Sequence, residues 1–76
     1  MRAIEAVWPD RQGRPRGFRW RRRYVRVATV LESWREVRAW WRGEPELRCW
    51  RVEGEDGGIY ELAQSADGWW MLKVYD

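Results

Sequence analysis

Eight tryptophans stand in a chain of 76 residues that has one cysteine and no histidine. A chain this short hides only about 60% of the surface that its unfolded form exposes, so its stability needs either staples or large side chains. Cys49 alone cannot close an intramolecular disulfide, and without histidine the usual zinc ligand sets cannot be assembled. The interior therefore falls to the indoles, each able to bury about 150–250 Å². We expect most of them in one core, within a single domain covering 1–76.

No run approaches the ~20 apolar residues that cross a bilayer. The opening "MRAIEAVWPD" puts an acid and a proline where a secretory leader needs a long apolar stretch. A lone cysteine fits a reducing compartment. The expectation is a cytoplasmic protein with no membrane partner.

The last third is punctuated by Asp-Gly at 56–57 and 67–68, pairs that supply the positive-φ residues of tight hairpin turns. Between them "RCWRVEG", "GIYEL" and "GWWMLKVYD" are short runs of aromatic and β-branched residues, so residues 48–75 read as a three-stranded antiparallel meander. Alternation places Trp50, Val52, Tyr60, Leu62, Trp70, Leu72 and Val74 on the core face and Arg51, Glu61 and Lys73 on the other. Trp69, Met71 and Tyr75 then fall on the second face of the last strand, which would be apolar on both sides. Such a face is either covered or a docking surface.

The first half reads as a strand from Arg2 to Val7, a flexible loop "WPDRQGRPRG" at 8–17, and two strands, "FRW" and "YVRVATVL", joined by a tight turn at Arg21 to Arg23. That turn lacks a glycine. Over 27–41, Val27, Val30, Leu31, Trp34, Arg38 and Trp41 fall near helical spacing, so a helix ending at Gly43 competes with strand. The β-branched density of "YVRVATV" favours strand through Leu31. "GEPE" at 43–46 is a turn. The fold class expected is mainly β: a small bent antiparallel sheet or SH3-like, partly open barrel of five or six strands, with a short helix within 31–42 as the competing assignment.

Several of these residues form a pattern: F-x-W at 18–20, Tyr24, Val27, Val-Leu at 30–31, Trp34, Trp-Trp at 40–41, W-x-V at 50–52, G-x-Y-E-L at 58–62, G-W-W at 68–70 and the closing "VYD" at 74–76. It resembles a small free-standing bacterial domain of unknown function found in the Deinococcus and Thermus group and in actinobacteria. The stretch from Trp34 to Asp76 is also similar to the C-terminal tail of ImuB, the inactive polymerase-like partner in bacterial DNA-damage mutasomes. The resemblance implies a DNA-repair or replication setting and includes no catalytic motif. This chain departs from it at the first hairpin turn, where arginines replace a glycine.

An enzyme is not expected. Without histidine there is no Ser-His or Cys-His nucleophile, and Ser33 and Ser65 have no base beside them. Cys49 sits between Arg48 and Trp50, where a cation can lower a thiol pKa, but its parity puts it on the outer side of a strand. The carboxylate pairs Glu44 with Glu46, Glu53 with Glu55, and Glu55 with Asp56 lie at turns, where acids are ordinarily solvated. No phosphate-binding loop, dinucleotide fingerprint or calcium loop is present. No cofactor, metal or small-molecule substrate is indicated.

Binding remains. Residues 1–42 hold twelve arginines against four acids (+8), and residues 43–76 hold three cations against eight acids (−5). This asymmetry marks either a basic surface for DNA or RNA or two halves that pair with each other. The candidate nucleic-acid contacts are Arg14, Arg16, Arg19, Arg21, Arg22, Arg23 and Arg26, around Phe18, Trp20 and Tyr24. Bases stack on exposed aromatics beside a basic groove, so the direction in which Trp20 faces decides whether stacking or phosphate contact alone is available; inward is the expectation. The alternative is a protein-docking or self-associating module using Trp40, Trp41, Trp69, Met71 and Tyr75, residue types that form interface hot spots.

Overall fold

A computed structural model describes residues 2–36 and 46–75. They form seven strands: β1 (Arg2–Ala3), β2 (Ala6–Pro9), β3 (Pro15–Trp20), β4 (Arg23–Glu36), β5 (Leu47–Gly54), β6 (Ile59–Ser65) and β7 (Gly68–Tyr75). The sheet is antiparallel and curled, in the order β1-β7-β6-β5-β4-β3-β2. Its two edges, β1 and β2, are separated in sequence only by Ile4 and Glu5. The Ile4 amide donates to the Trp69 carbonyl (3.0 Å) and the Glu5 amide to the Arg19 carbonyl (3.2 Å), so consecutive residues tie the two edges to each other. The first segment is thus two strands where one is expected, and the expected half-barrel is built from seven strands.

The meander is as the sequence predicts, with turn details that differ. β5 and β6 are joined by a turn in which the Gly57 amide donates to the Gly54 carbonyl and Asp56 Oδ1 accepts the Gly58 amide. Only the glycine of each Asp-Gly pair has positive φ, Gly57 at 86° and Gly68 at 140°. The face assignment fails in β7. Glu61 lies opposite Lys73 and Leu62 opposite Met71, so Leu72 is an extra residue in a bulge. A bulge reverses parity beyond it. Met71 is therefore buried, Trp69 packs on the main core and Leu72 joins a second cluster, whereas Val74, on the other side of the bulge, keeps its expected place opposite Tyr60 and is 40% exposed.

β4 runs fourteen residues as strand, so the helix alternative is excluded through Glu36; residues 37–45, including Trp40 and Trp41, lie outside the described residues. Its start pairs with β3 and its remainder with β5, and two register shifts, between Val27 and Thr29 and between Val30 and Glu32, let one strand serve both halves. The main core joins Ile4, Phe18, Val25, Trp50, Val52, Tyr60, Leu62 and Met71, with Trp20 and Trp69 packed on it. Leu47, Cys49 and Ala63 form a second cluster with Trp34 and Leu72, so Cys49, expected on an outer face, is buried. Four of the six described tryptophans pack on these clusters; Trp8 is exposed, and Trp70 donates its indole N–H to Ser65.

The stretch 8–17 is a hairpin. Pro9 faces Pro15 across β2 and β3, leaving Asp10 to Arg14 as the loop. Asp10 laces it, accepting the Gln12 and Arg14 amides (2.8 and 2.9 Å) and the Arg14 guanidinium (3.0 Å). β3 and β4 meet in a two-residue turn, with Trp20 opposite Arg23 and both Arg21 (φ 53°) and Arg22 (φ 66°) left-handed. A turn with positive φ at both positions favours Asn-Gly. Replacing the pair by Asn-Gly (Arg21→Asn with Arg22→Gly) is expected to raise stability by about 1 kcal/mol. The check is the urea midpoint; an unchanged or lower midpoint would show that the Arg21 contact with Trp20 outweighs the backbone strain.

Candidate nucleic-acid interface

Alternation along β2, β3 and the start of β4 separates core from surface row by row. Val7, Phe18 and Val25 form an inward row. The flanking rows face outward: Trp8, Gly17 and Arg26 in one, Ala6, Arg19 and Tyr24 in the other. Because the turn has two residues, Tyr24 lies opposite Arg19 rather than beside Trp20. Phe18 and Trp20 thus face inward, and Tyr24 does not share their face. Trp20 faces the core, as the sequence predicts.

The outward rows carry two open aromatic rings, Trp8 at 46% and Tyr24 at 56% exposure. They meet edge to face, centroids 5.4 Å apart with planes at 70°. Tyr24 reclines over Gly17, where an added Cβ would lie 2.3 Å from its hydroxyl oxygen. An aromatic covering a strand glycine replaces the packing that glycine lacks. The result is an L-shaped ledge, Tyr24 as its floor and Trp8 as its wall.

The seven candidate arginines divide into two groups. Arg14 and Arg23 are engaged at hydrogen-bond distance, with Asp10 (3.0 Å) and Asp56 (2.8 Å). Arg19 and Arg26 flank the ledge and reach Glu5 and Glu55 only at 3.8 and 3.7 Å, with all four side chains about half exposed or more. Such pairs contribute about 0–1 kcal/mol and are readily exchanged. For Arg16, Arg21 and Arg22 no carboxylate lies within ion-pair distance among the described residues; the Arg21 guanidinium lies 5.4 Å from the Trp20 ring, and the Arg22 amide donates to Glu5. The halves do pair across Arg23–Asp56, Arg26–Glu55, Arg35–Glu46 and Glu32–Arg51, yet five of the seven guanidiniums remain exchangeable or open.

Past the turn, a cleft of about 380 Å³ opens at the end of the sheet between Trp20, Arg21, Arg23, Tyr60, Val74 and Tyr75. Arg23, Asp56 and Tyr60 in its wall are paired with one another. Asp56 Oδ2 accepts from Arg23 and the Tyr60 hydroxyl (2.6 Å). The Tyr60 hydroxyl, then the Gly58 amide and the Arg23 charge, hold the Asp56 carboxyl below the usual carboxylate range. Burial, then the Asp56 contact, pushes Tyr60 up to about 12. On the outer face of the meander Arg51 donates to Glu32 and twice to Glu61, which also accepts from Tyr75. Burial opposes ionisation of Glu61, but the Tyr75 and Arg51 hydrogen bonds outweigh it and lower its pKa.

Of the docking candidates, Trp69 and Met71 turn inward and Tyr75 is tied to Glu61, because the Leu72 bulge exchanges the faces of β7. Trp40 and Trp41 lie outside the described residues. The sequence reading missed Trp8, placed in a loop. The signal that locates it is "PDRQGRP", two prolines bracketing an Asp-capped turn, which puts Trp8 opposite Gly17. Among the described residues no group of acids and cysteine could hold a metal, and no helix is long and apolar enough to cross a membrane.

These networks set the pH profile of stability. Asp56 and Glu61 have lowered pKa values in the fold, so their contribution is fully present above the unfolded carboxylate range and is lost as pH falls from there through their lower folded values. Tyr60 is raised, so its contribution is present below about 10 and is lost as pH rises toward about 12. Urea midpoints across pH are expected to fall on both flanks, and Asp56→Asn is expected to flatten both; flanks unchanged in that variant would exclude the Asp56–Tyr60 contact as their source.

No curated protein and no solved structure matches the chain. A family profile does, and it bears out the resemblance to a domain of unknown function. Matched over residues 3–76, the chain belongs to the family described as Domain of unknown function (DUF6504).

Proposed function

We propose that this chain is a non-catalytic nucleic-acid-binding domain of DNA repair or replication, and that its contact surface is the outer face of β2, β3 and the start of β4 with the adjoining Arg21–Arg22 turn. The observation that carries this reading is the division of the arginines: Arg19 and Arg26 on that face and Arg21 and Arg22 in its turn lie exposed with no carboxylate partner or a loose one, and Arg16, of Phe18's parity, is exposed at the margin of the other face. Guanidinium forks suit phosphate oxygens, and contacts of this kind supply affinity without a pocket. Two arginines also occupy left-handed turn positions that a glycine would fill at lower cost, and backbone strain of this sort gathers where side chains are used. The repair setting rests on the similarity to the tail of ImuB.

The other reading, docking of a protein or a second copy, is supported by less. Of the residues put forward for it, Tyr75 alone is left on the described outer surface, and its hydroxyl is engaged.

Titrating a labelled oligonucleotide by fluorescence anisotropy at rising salt tests the proposal. Log affinity is expected to fall linearly with log salt, by about 0.7 to 0.9 per phosphate engaged. Converting Arg19, Arg22 and Arg26 together to Gln is expected to make that slope shallower by about 2 and to weaken binding at low salt by roughly 10- to 100-fold. Absence of binding at low salt, with a mass in solution that grows with concentration, would move the chain to the docking class.

A further inference from the structure

Resting on that reading, we infer that the nucleic acid is single-stranded and that it is held by one unpaired base stacked on the Tyr24 ring against the Trp8 wall. Phosphate contacts by arginine do not distinguish strands from duplexes, since both present the same oxygens. The ledge does. Tyr24 is more than half exposed although it reclines on the sheet, so the ring face turned away from Gly17 is open. Trp8, standing at 70° to it, closes one side of that face. A planar ring laid on Tyr24 would meet Trp8 at its edge, an offset arrangement that aromatic groups favour. Arg19 lies directly opposite Tyr24 across the β3–β4 ladder and Arg26 opposite Gly17, so an arginine stands in each of the two outward rows that carry the ledge. Bases of a duplex are stacked on their neighbours and cannot reach such a surface without being unpaired.

Surface aromatic pairs also exist only to cover glycine, and the experiment separates the two roles. Anisotropy titrations compare a single strand of about 12 nucleotides with the duplex of the same sequence. The native protein is expected to prefer the single strand, and Tyr24→Ala to lose roughly 5- to 100-fold on the single strand, the effect of one lost stack, with duplex affinity unchanged. Tyr24→Phe keeps the ring and should keep the preference. Gly17→Ala retains every ring and charge but displaces Tyr24 from its seat, and is expected to reduce the preference with no drop in the urea midpoint. A ribo-oligonucleotide of equal length shows whether the strand is DNA or RNA; dependence on Tyr24 with either sugar supports the ledge. Equal native affinity for strand and duplex, or equal losses on both in Tyr24→Ala, overturns the inference while leaving arginine-based binding in place. Binding of neither form overturns the reading beneath it.

Discussion

One short segment has to satisfy both margins of the sheet. Open sheet edges expose unpaired amides and carbonyls that recruit other chains, and a domain this small has few residues to cover them. Here β1 completes β7 and β2 completes β3, with Ile4 buried at the junction. The closure depends on Ile4 and Glu5 donating in succession to carbonyls on opposite margins. The junction also helps to fix where β2 lies on β3, and so the alignment of Trp8 beside Gly17.

Curvature is produced by bulges, and bulges are what the sequence conceals. The meander was legible because its glycines sit where chain reversal needs positive φ and its strands alternate. Parity then went astray at Leu72, an apolar residue in an apolar strand, where nothing in side-chain chemistry announces an extra residue. The same holds for Ala28 and Leu31 in β4, which interrupt what would otherwise be a strand of regular alternation. The N-terminal hairpin was hidden for another reason. Prolines at 9 and 15 read as loop formers, yet a proline at a strand end costs no ladder bond that the pairing requires, so β2 runs two residues and β3 three residues further into the expected loop than composition implies.

The site was half legible for the same cause. Charge segregation is a compositional signal and located the arginines, but whether a guanidinium is spent on an internal carboxylate depends on which loops meet. Asp56 on the β5–β6 turn takes Arg23, and Asp10 takes Arg14. The aromatic pair could be found only from cross-strand register, since Trp8 and Tyr24 are sixteen positions apart and come together through Gly17 of the strand between them.

The seam has a temporal side. Ile4 is synthesised well before its acceptor, the Trp69 carbonyl, with five strands of the sheet between them. Pairing across such a sequence separation is slow because the intervening chain must be ordered first. The β2–β3 hairpin can form before β7 exists to receive β1, so the nascent chain carries its arginine-rich hairpin before its sheet is complete.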